Sequence, residues 1–132
     1  MLDAALEERI RSGLAAFFAG DLDAMTRFMA DDVVGVDAPE MPDAAVFHGR
    51  AAVRERLAGF RELFTALELR ALTIEELGER VFVLIKVHGQ SPSTALPVDF
   101  DIAYVLDVRD GLATTIRSFL TEAQAREYAA TH

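Results

Sequence analysis

The sequence predicts an α+β domain in which helices come first and a run of antiparallel strands follows. Three observations carry this. Apolar residues recur at three- and four-residue spacing in the first half, and beyond residue 65 they gather into long β-type segments divided by tight-turn residues. The 132 residues, 52% of them apolar, also suit one core, so residues 1–132 are expected to form a single domain.

Leu2, Leu6, Ile10, Leu14, Phe17 and Phe18 form one stripe of a first helix, with Asp3, Glu7, Glu8, Arg11 and Ser12 turned away. Gly20 can take the left-handed conformation that ends it. Asp21 can then cap a second helix carrying Leu22, Met25, Phe28 and Met29. Val33-Val34-Gly35-Val36-Asp37 is short and β-branched, and Pro39 and Pro42 follow, so it reads as a strand leading into a loop. After Gly49, Val53, Leu57, Phe60 and Phe64 mark a third helix, flanked by Arg50, Arg54, Glu55 and Glu62. Four strands are expected over Leu67–Leu77, Arg80–His88, Pro97–Val108 and Leu112–Leu120. Gly78 and Asp110-Gly111 supply tight turns between neighbours, and Pro92 and Pro97 mark a looser loop. Thr121-Glu122-Ala123-Gln124 has the form of a capping box and opens a terminal helix through Tyr128 and Ala129.

Alternation along Val98–Asp107 puts Val98, Phe100, Ile102, Tyr104 and Leu106 on the inward face and Asp99, Asp101 and Asp107 outward. The segment Arg80–His88 is apolar on both faces, which predicts a sheet covered on both sides, and a second subunit is one way to cover it. A homodimer is therefore expected.

The formal charge of −9 opposes binding to phosphate backbones and anionic lipid surfaces, so neither nucleic acid nor membrane is expected as a partner. The absence of cysteine removes disulfides, thiolate zinc sites and cysteine nucleophiles. The first residues lack the basic and long apolar regions of a secretory leader, and a cytoplasmic location is the expectation. His48, His88 and His132 show no metal-binding spacing, and no nucleotide-binding glycine loop or nucleophile elbow occurs, so no metal or cofactor is expected.

Three strings then bear on kinship: Ala19-Gly20-Asp21-Leu22-Asp23 with Met29-Ala30-Asp31-Asp32-Val33; Phe47-His48-Gly49-Arg50-Ala51-Ala52-Val53; and Arg109-Asp110-Gly111 with Ile116-Arg117-Ser118-Phe119. Their order and spacing resemble the SnoaL-like proteins of the nuclear transport factor 2-like superfamily over essentially the whole chain. The resemblance implies a cone, a strongly curved antiparallel sheet wrapped around the N-terminal helices as in a cystatin-like roll. It also implies an apolar pocket at one end and dimers formed through the sheet. Activities in the superfamily include isomerases, polyketide cyclases, epoxide hydrolases and dehydratases, so fold alone does not assign one. Asp37 falls where ketosteroid isomerase, a related enzyme, carries its aspartate base just after the first strand. That enzyme's oxyanion tyrosine falls here on Gly13, its protonated aspartate falls near Tyr104, and the terminal aspartate of SnoaL-type cyclases falls on Leu120-Thr121.

Asp37 is the candidate general base, because a carboxylate in an apolar cone is disfavoured in its charged form and its sequence neighbours Val36, Ala38 and Pro39 cannot neutralise it. The bland role for it is a turn cap before Pro39. Tyr104, a phenol on an apolar strand face, is a candidate hydrogen-bond donor, and His48, just before the third helix, a candidate at the pocket rim. Either can equally be structural, Tyr104 as a core tyrosine and His48 as loop packing. Lys86 and His88 share a strand face with Phe82 and Leu84 and are expected at a dimer edge, while Arg50, Arg54 and Arg61 are expected on a solvated face. The lining is expected from Phe17, Val53, Leu57, Phe60, Phe100, Ile102 and Phe119. The functional expectation is a pocket for an apolar, ring-sized molecule and cofactor-independent proton abstraction next to its carbonyl, serving isomerisation, cyclisation or dehydration. The alternatives are a binding protein for a hydrophobic metabolite and a structural dimerisation module whose cone is filled by its nine Phe and four Met.

Overall fold

The first helix, α1 (Ala4–Ala19), starts where the Asp3 carboxylate accepts the Leu6 amide at 2.7 Å, and ends at Gly20, whose φ of 88° only glycine adopts without strain. This is seen in a computed structural model, which describes residues 2–132. Asp21 caps α2 (Leu22–Met25) through the Ala24 amide. The second helix is shorter than the apolar spacing predicts: Thr26–Phe28 tighten into a 3-10 turn, and Met29 already belongs to β1 (Met29–Val36). After β1 come β2 (Val46–His48), α3 (Arg50–Arg61), β3 (Thr65–Leu77), β4 (Arg80–Gln90), β5 (Pro97–Arg109), β6 (Leu112–Phe119) and α4 (Glu122–Thr131).

The six strands form one curved, unclosed sheet in the order β2-β1-β6-β5-β4-β3. Four of the five pairings are antiparallel, but β1 lies parallel to β6, an arrangement that the run of strands did not reveal. The strand β2 is too short for alternation to show, and it exists because Val46–His48 pair with Val34–Val36 across the proline loop.

The inner face of the sheet buries Val81, Val83, Ile85, Val87, Leu106 and Ile116 against Leu6, Ile10 and Phe17 of α1. Each such side chain stabilises the fold by about 1.5–3 kcal/mol relative to exposure. The apolar outer face of β4 finds its cover within the chain. Phe82 and Leu84, with Ala103 and Val105 of β5, pack under Ala125, Tyr128 and Ala129 of α4. Arg126 fixes that helix, bonding both oxygens of Glu75 at 3.0 Å and Glu122 at 2.8 Å, with its guanidinium 4.3 Å from the Phe82 ring centre. The hydrogen bond from Arg126 holds the Glu75 carboxyl below its ordinary range. Beyond the end of α4 the same sheet face turns polar. Lys86 meets Asp101 at 3.0 Å and His88 meets Asp99 at 2.7 Å, each pairing β4 with β5.

Close approach of α1 to the Met25–Phe28 turn depends on Gly13. A Cβ there would lie 2.7 Å from Phe28 Cδ1 and 3.0 Å from the Met25 carbonyl oxygen. Alanine favours a helix over glycine by about 1 kcal/mol, but overpacking at a buried contact costs about 1–3 kcal/mol. Gly13→Ala is therefore expected to lower the urea midpoint at unchanged slope, and a raised midpoint would show that α1 and the turn do not pack in this way.

Candidate functional site

The helices do not fill the sheet's concave face completely. A cavity of about 50 Å3 remains, bounded by Ile10, Leu14, Phe17 and Phe18 of α1, by Met25, Phe28 and Met29, by Leu57 and Phe60 of α3, and by the inner face of the sheet. Ring-sized ligands occupy pockets of about 300–1,000 Å3, so a guest of that size enters only if side chains move. Phe60 is the lining residue backed by other aromatics, with ring centres 5.6 Å from Phe64 and 6.0 Å from Phe100, and Phe64 stacks on Phe100 at 5.0 Å.

Among the side chains lining the cavity, Tyr104 alone carries a hydroxyl, amide or charge. Its place follows from β5, where Cα pairing with Val83 and Ser118 sets it in the middle of the sheet. Burial pushes its phenol up to about 12; the Arg56 guanidinium draws it down and the Asp37 carboxylate adds to the rise. At neutral pH the group is a hydrogen-bond donor.

Asp37 is the first residue past β1. Its side chain is only 9% exposed, and Arg56 of α3 bonds it through one nitrogen, Nε, at 3.1 Å to Oδ2 and 3.3 Å to Oδ1. Oδ2 also accepts the Ala45 amide at 3.3 Å, while the Asp37 amide donates to the Ala45 carbonyl at 3.1 Å, so Asp37 closes the loop between β1 and β2 as well. No sequence neighbour neutralises Asp37, but Arg56, nineteen residues on, does so across space. Arg56 was missed in the sequence, although a signal was present: it lies three residues after Val53 and four before Phe60, on the inward side of α3.

The remaining candidates are dispersed. Phe17, Leu57, Phe60 and Ile102 line the cavity. Val53 is buried under Gly35 of β1, Phe100 lies behind Phe60 and Phe64, and Phe119 packs on the outer face against Tyr128 at 5.4 Å. Phe119 is paired with Ala103, whose side chain faces α4. His48 is exposed on β2, outside the lining. Arg50, Arg54 and Arg61 are tethers and not merely a solvated face: they bond the Met29 carbonyl, Asp23 and the Phe17 carbonyl, each within 2.9 Å. Among the described residues no group of three His, Asp or Glu side chains is placed to hold a metal ion, and no helix is long and apolar enough to cross a membrane.

A family profile described as a SnoaL-like domain matches residues 10–116. No curated protein matches the chain. Among solved structures, TerC co-crystallised with polyporic acid superposes with a TM-score of 0.76 at 23% identity, covering 97% of this chain and 100% of that one. A protein provisionally described as a polyketide cyclase, from Xanthomonas campestris pv. campestris, gives 0.73 at 24% identity, over 95% and 96%. A protein from Catenulispora acidiphila with a ketosteroid isomerase-like fold, in complex with trimethylamine, gives 0.71 at 17% identity, over 89% and 88%. At these identities the likeness establishes a common fold.

Burial of Tyr104 has a consequence for stability. Below about pH 10 its phenol is protonated in folded and unfolded chains alike, and its contribution is fully present. Between about pH 10 and 12 the unfolded phenol ionises first, so about 2–3 kcal/mol is lost as pH rises. Tyr104→Phe is expected to flatten that alkaline decline in urea unfolding; an identical decline in both proteins would mean the phenol is not buried in the folded state.

Proposed function

The chain belongs to the SnoaL-like domain family, and from that premise we propose that it takes an apolar, ring-sized carbonyl compound into its interior and moves a proton next to that carbonyl without a cofactor. One observation carries the reading: an otherwise apolar cavity holds a single polar side chain, Tyr104, with a carboxylate in electrostatic reach. The co-crystal of TerC with polyporic acid supports an organic guest for this fold.

In this reading the guest displaces Phe60 and its aromatic neighbours and places its carbonyl oxygen at the Tyr104 hydroxyl. Asp37 takes the adjacent proton, the C–H electron pair becomes a carbon–carbon double bond, and the carbonyl pair moves to oxygen. Tyr104 stabilises the resulting enolate by hydrogen bonding. Oδ1 is the better placed proton acceptor, since it meets only Arg56 at 3.3 Å while Oδ2 has two donors. Return of the proton to another carbon gives isomerisation, and loss of a β-substituent gives dehydration. His48, exposed and outside the lining, is left at the surface in this scheme.

The second reading is a binding protein that leaves its guest unchanged. It is favoured by the ion pair itself, because both Asp37 oxygens already accept a hydrogen bond from Arg56. A β,γ-unsaturated cyclohexenone separates the two, since its conjugated product absorbs in the ultraviolet. Asp37→Asn is expected to cut turnover by about 100-fold or more at nearly unchanged affinity, and Tyr104→Phe to weaken both. Equal turnover in Asp37→Asn would remove the proton-transfer reading; a bound probe recovered intact after long incubation would establish the binding protein.

A further inference from the structure

The close packing of α3 on β1 also sets where Arg56 meets Asp37. Val53 lies against Gly35, where an added Cβ would sit 3.1 Å from Val53 Cγ2. One turn further along α3, Arg56 thereby comes within reach of the residue just past the end of β1. Its guanidinium carbon stands 5.8 Å from the Phe47 ring centre, so β2 backs it, and its Nε spans both Asp37 oxygens. The Asp37 side chain therefore has a donor on Oδ1 from α3, and donors on Oδ2 from α3 and from the Ala45 amide.

We propose that Arg56 is a positioning residue that locks the Asp37 carboxylate into one rotamer and couples it electrostatically to Tyr104, making the three side chains one unit. The inference rests on the reading that Tyr104, in the cavity lining, and Asp37, just outside it, act together on a guest. Its physical basis is the donor count: without Arg56, Oδ1 has no donor and the side chain is held by Ala45 alone. A nearly buried carboxylate with one oxygen unpartnered turns toward water. With Arg56 in place, Oδ1 keeps a lone pair free while its direction is set from the other side.

The ligand-free full chain supplies the direct test. In the proton NMR spectrum the Arg56 Nε–H is expected to exchange more slowly than those of the exposed Arg27 and Arg109, and to lose that protection in Asp37→Asn. Ultraviolet titration, with Tyr104→Phe identifying the phenol, is expected to show Tyr104 ionising at lower pH in Asp37→Asn and at higher pH in Arg56→Gln, with Arg56→Lys returning toward the parent. A structural role for Arg56 alone leaves the phenol titration unmoved. With the cyclohexenone, Arg56→Gln is expected to lose about tenfold or more in kcat at a KM within about threefold, and Arg56→Lys to regain part of it. Should Arg56→Gln fail to fold, the parent exchange rate and the Lys variant still decide. Fast exchange of the Arg56 Nε–H in the parent, or a Tyr104 titration unchanged by Asp37→Asn, overturns the proposal. A parent that neither binds nor converts the probe overturns the functional reading instead, and leaves the exchange and titration results to judge Arg56.

Discussion

The inner face of the sheet has to be kept from water, and helices α1, α2 and α3 with the Thr26–Phe28 turn cover it. Leu6, Ile10 and Phe17 of α1 lie on Val81, Val83, Ile85 and Val87, and this contact holds the cone together. Because α2 is a single turn and α3 reaches the sheet mainly through Val53, Leu57 and Phe60, coverage is incomplete and a small void persists. A void that an ordinary core would close by repacking is retained here because one of its walls is a sheet already fixed by four antiparallel pairings and one parallel one. The site is thus a by-product of how the core is built, and the one phenol within it gains its properties from that dryness.

Charge plays the complementary part. Arginines of α3 make contact at four points on three elements: Arg50 at the start of β1, Arg54 on α2, Arg56 just past the end of β1, and Arg61 in the last turn of α1. Exposed ion pairs contribute little each, but a guanidinium bonding a helix-end carbonyl or a nearly buried carboxylate satisfies a group that would otherwise be left bare. In a chain with formal charge −9, these cations sit where the fold needs an acceptor partnered. The helix carrying them is the one whose inward side borders both the cavity and Asp37.

Much of this was legible in the residues, and the parts that were not share a cause. The caps at Asp21 and Thr121, the left-handed turn at Gly20 and the turn at Asp110-Gly111 are local chemistry, and each appears where local chemistry puts it. Alternation in β5 correctly turned Ile102 and Tyr104 inward. What escaped were relations between distant segments: the parallel pairing of β1 with β6, the three residues of β2, and Arg56 on Asp37. The two-sided apolar character of β4 was read correctly, but its cover is α4 of the same chain. Periodicity reports which face is buried and not which element buries it. For the same reason Phe119 reads from the sequence as cavity lining, whereas it packs on the outer side against Tyr128.

Function in this protein depends on the apolar interior opening to admit a guest beside Tyr104. Methyl NMR of the protein titrated with a small aromatic ketone tests this most directly. Saturable shifts of lining methyls, such as those of Ile10, Leu14, Leu57, Ile102 and Ile116, are expected, since these methyls face the cavity. Shifts restricted to the exposed Val46, Leu63, Leu96 and Leu120, or no saturable shift at all, would contradict that opening and leave the interior as a filled core.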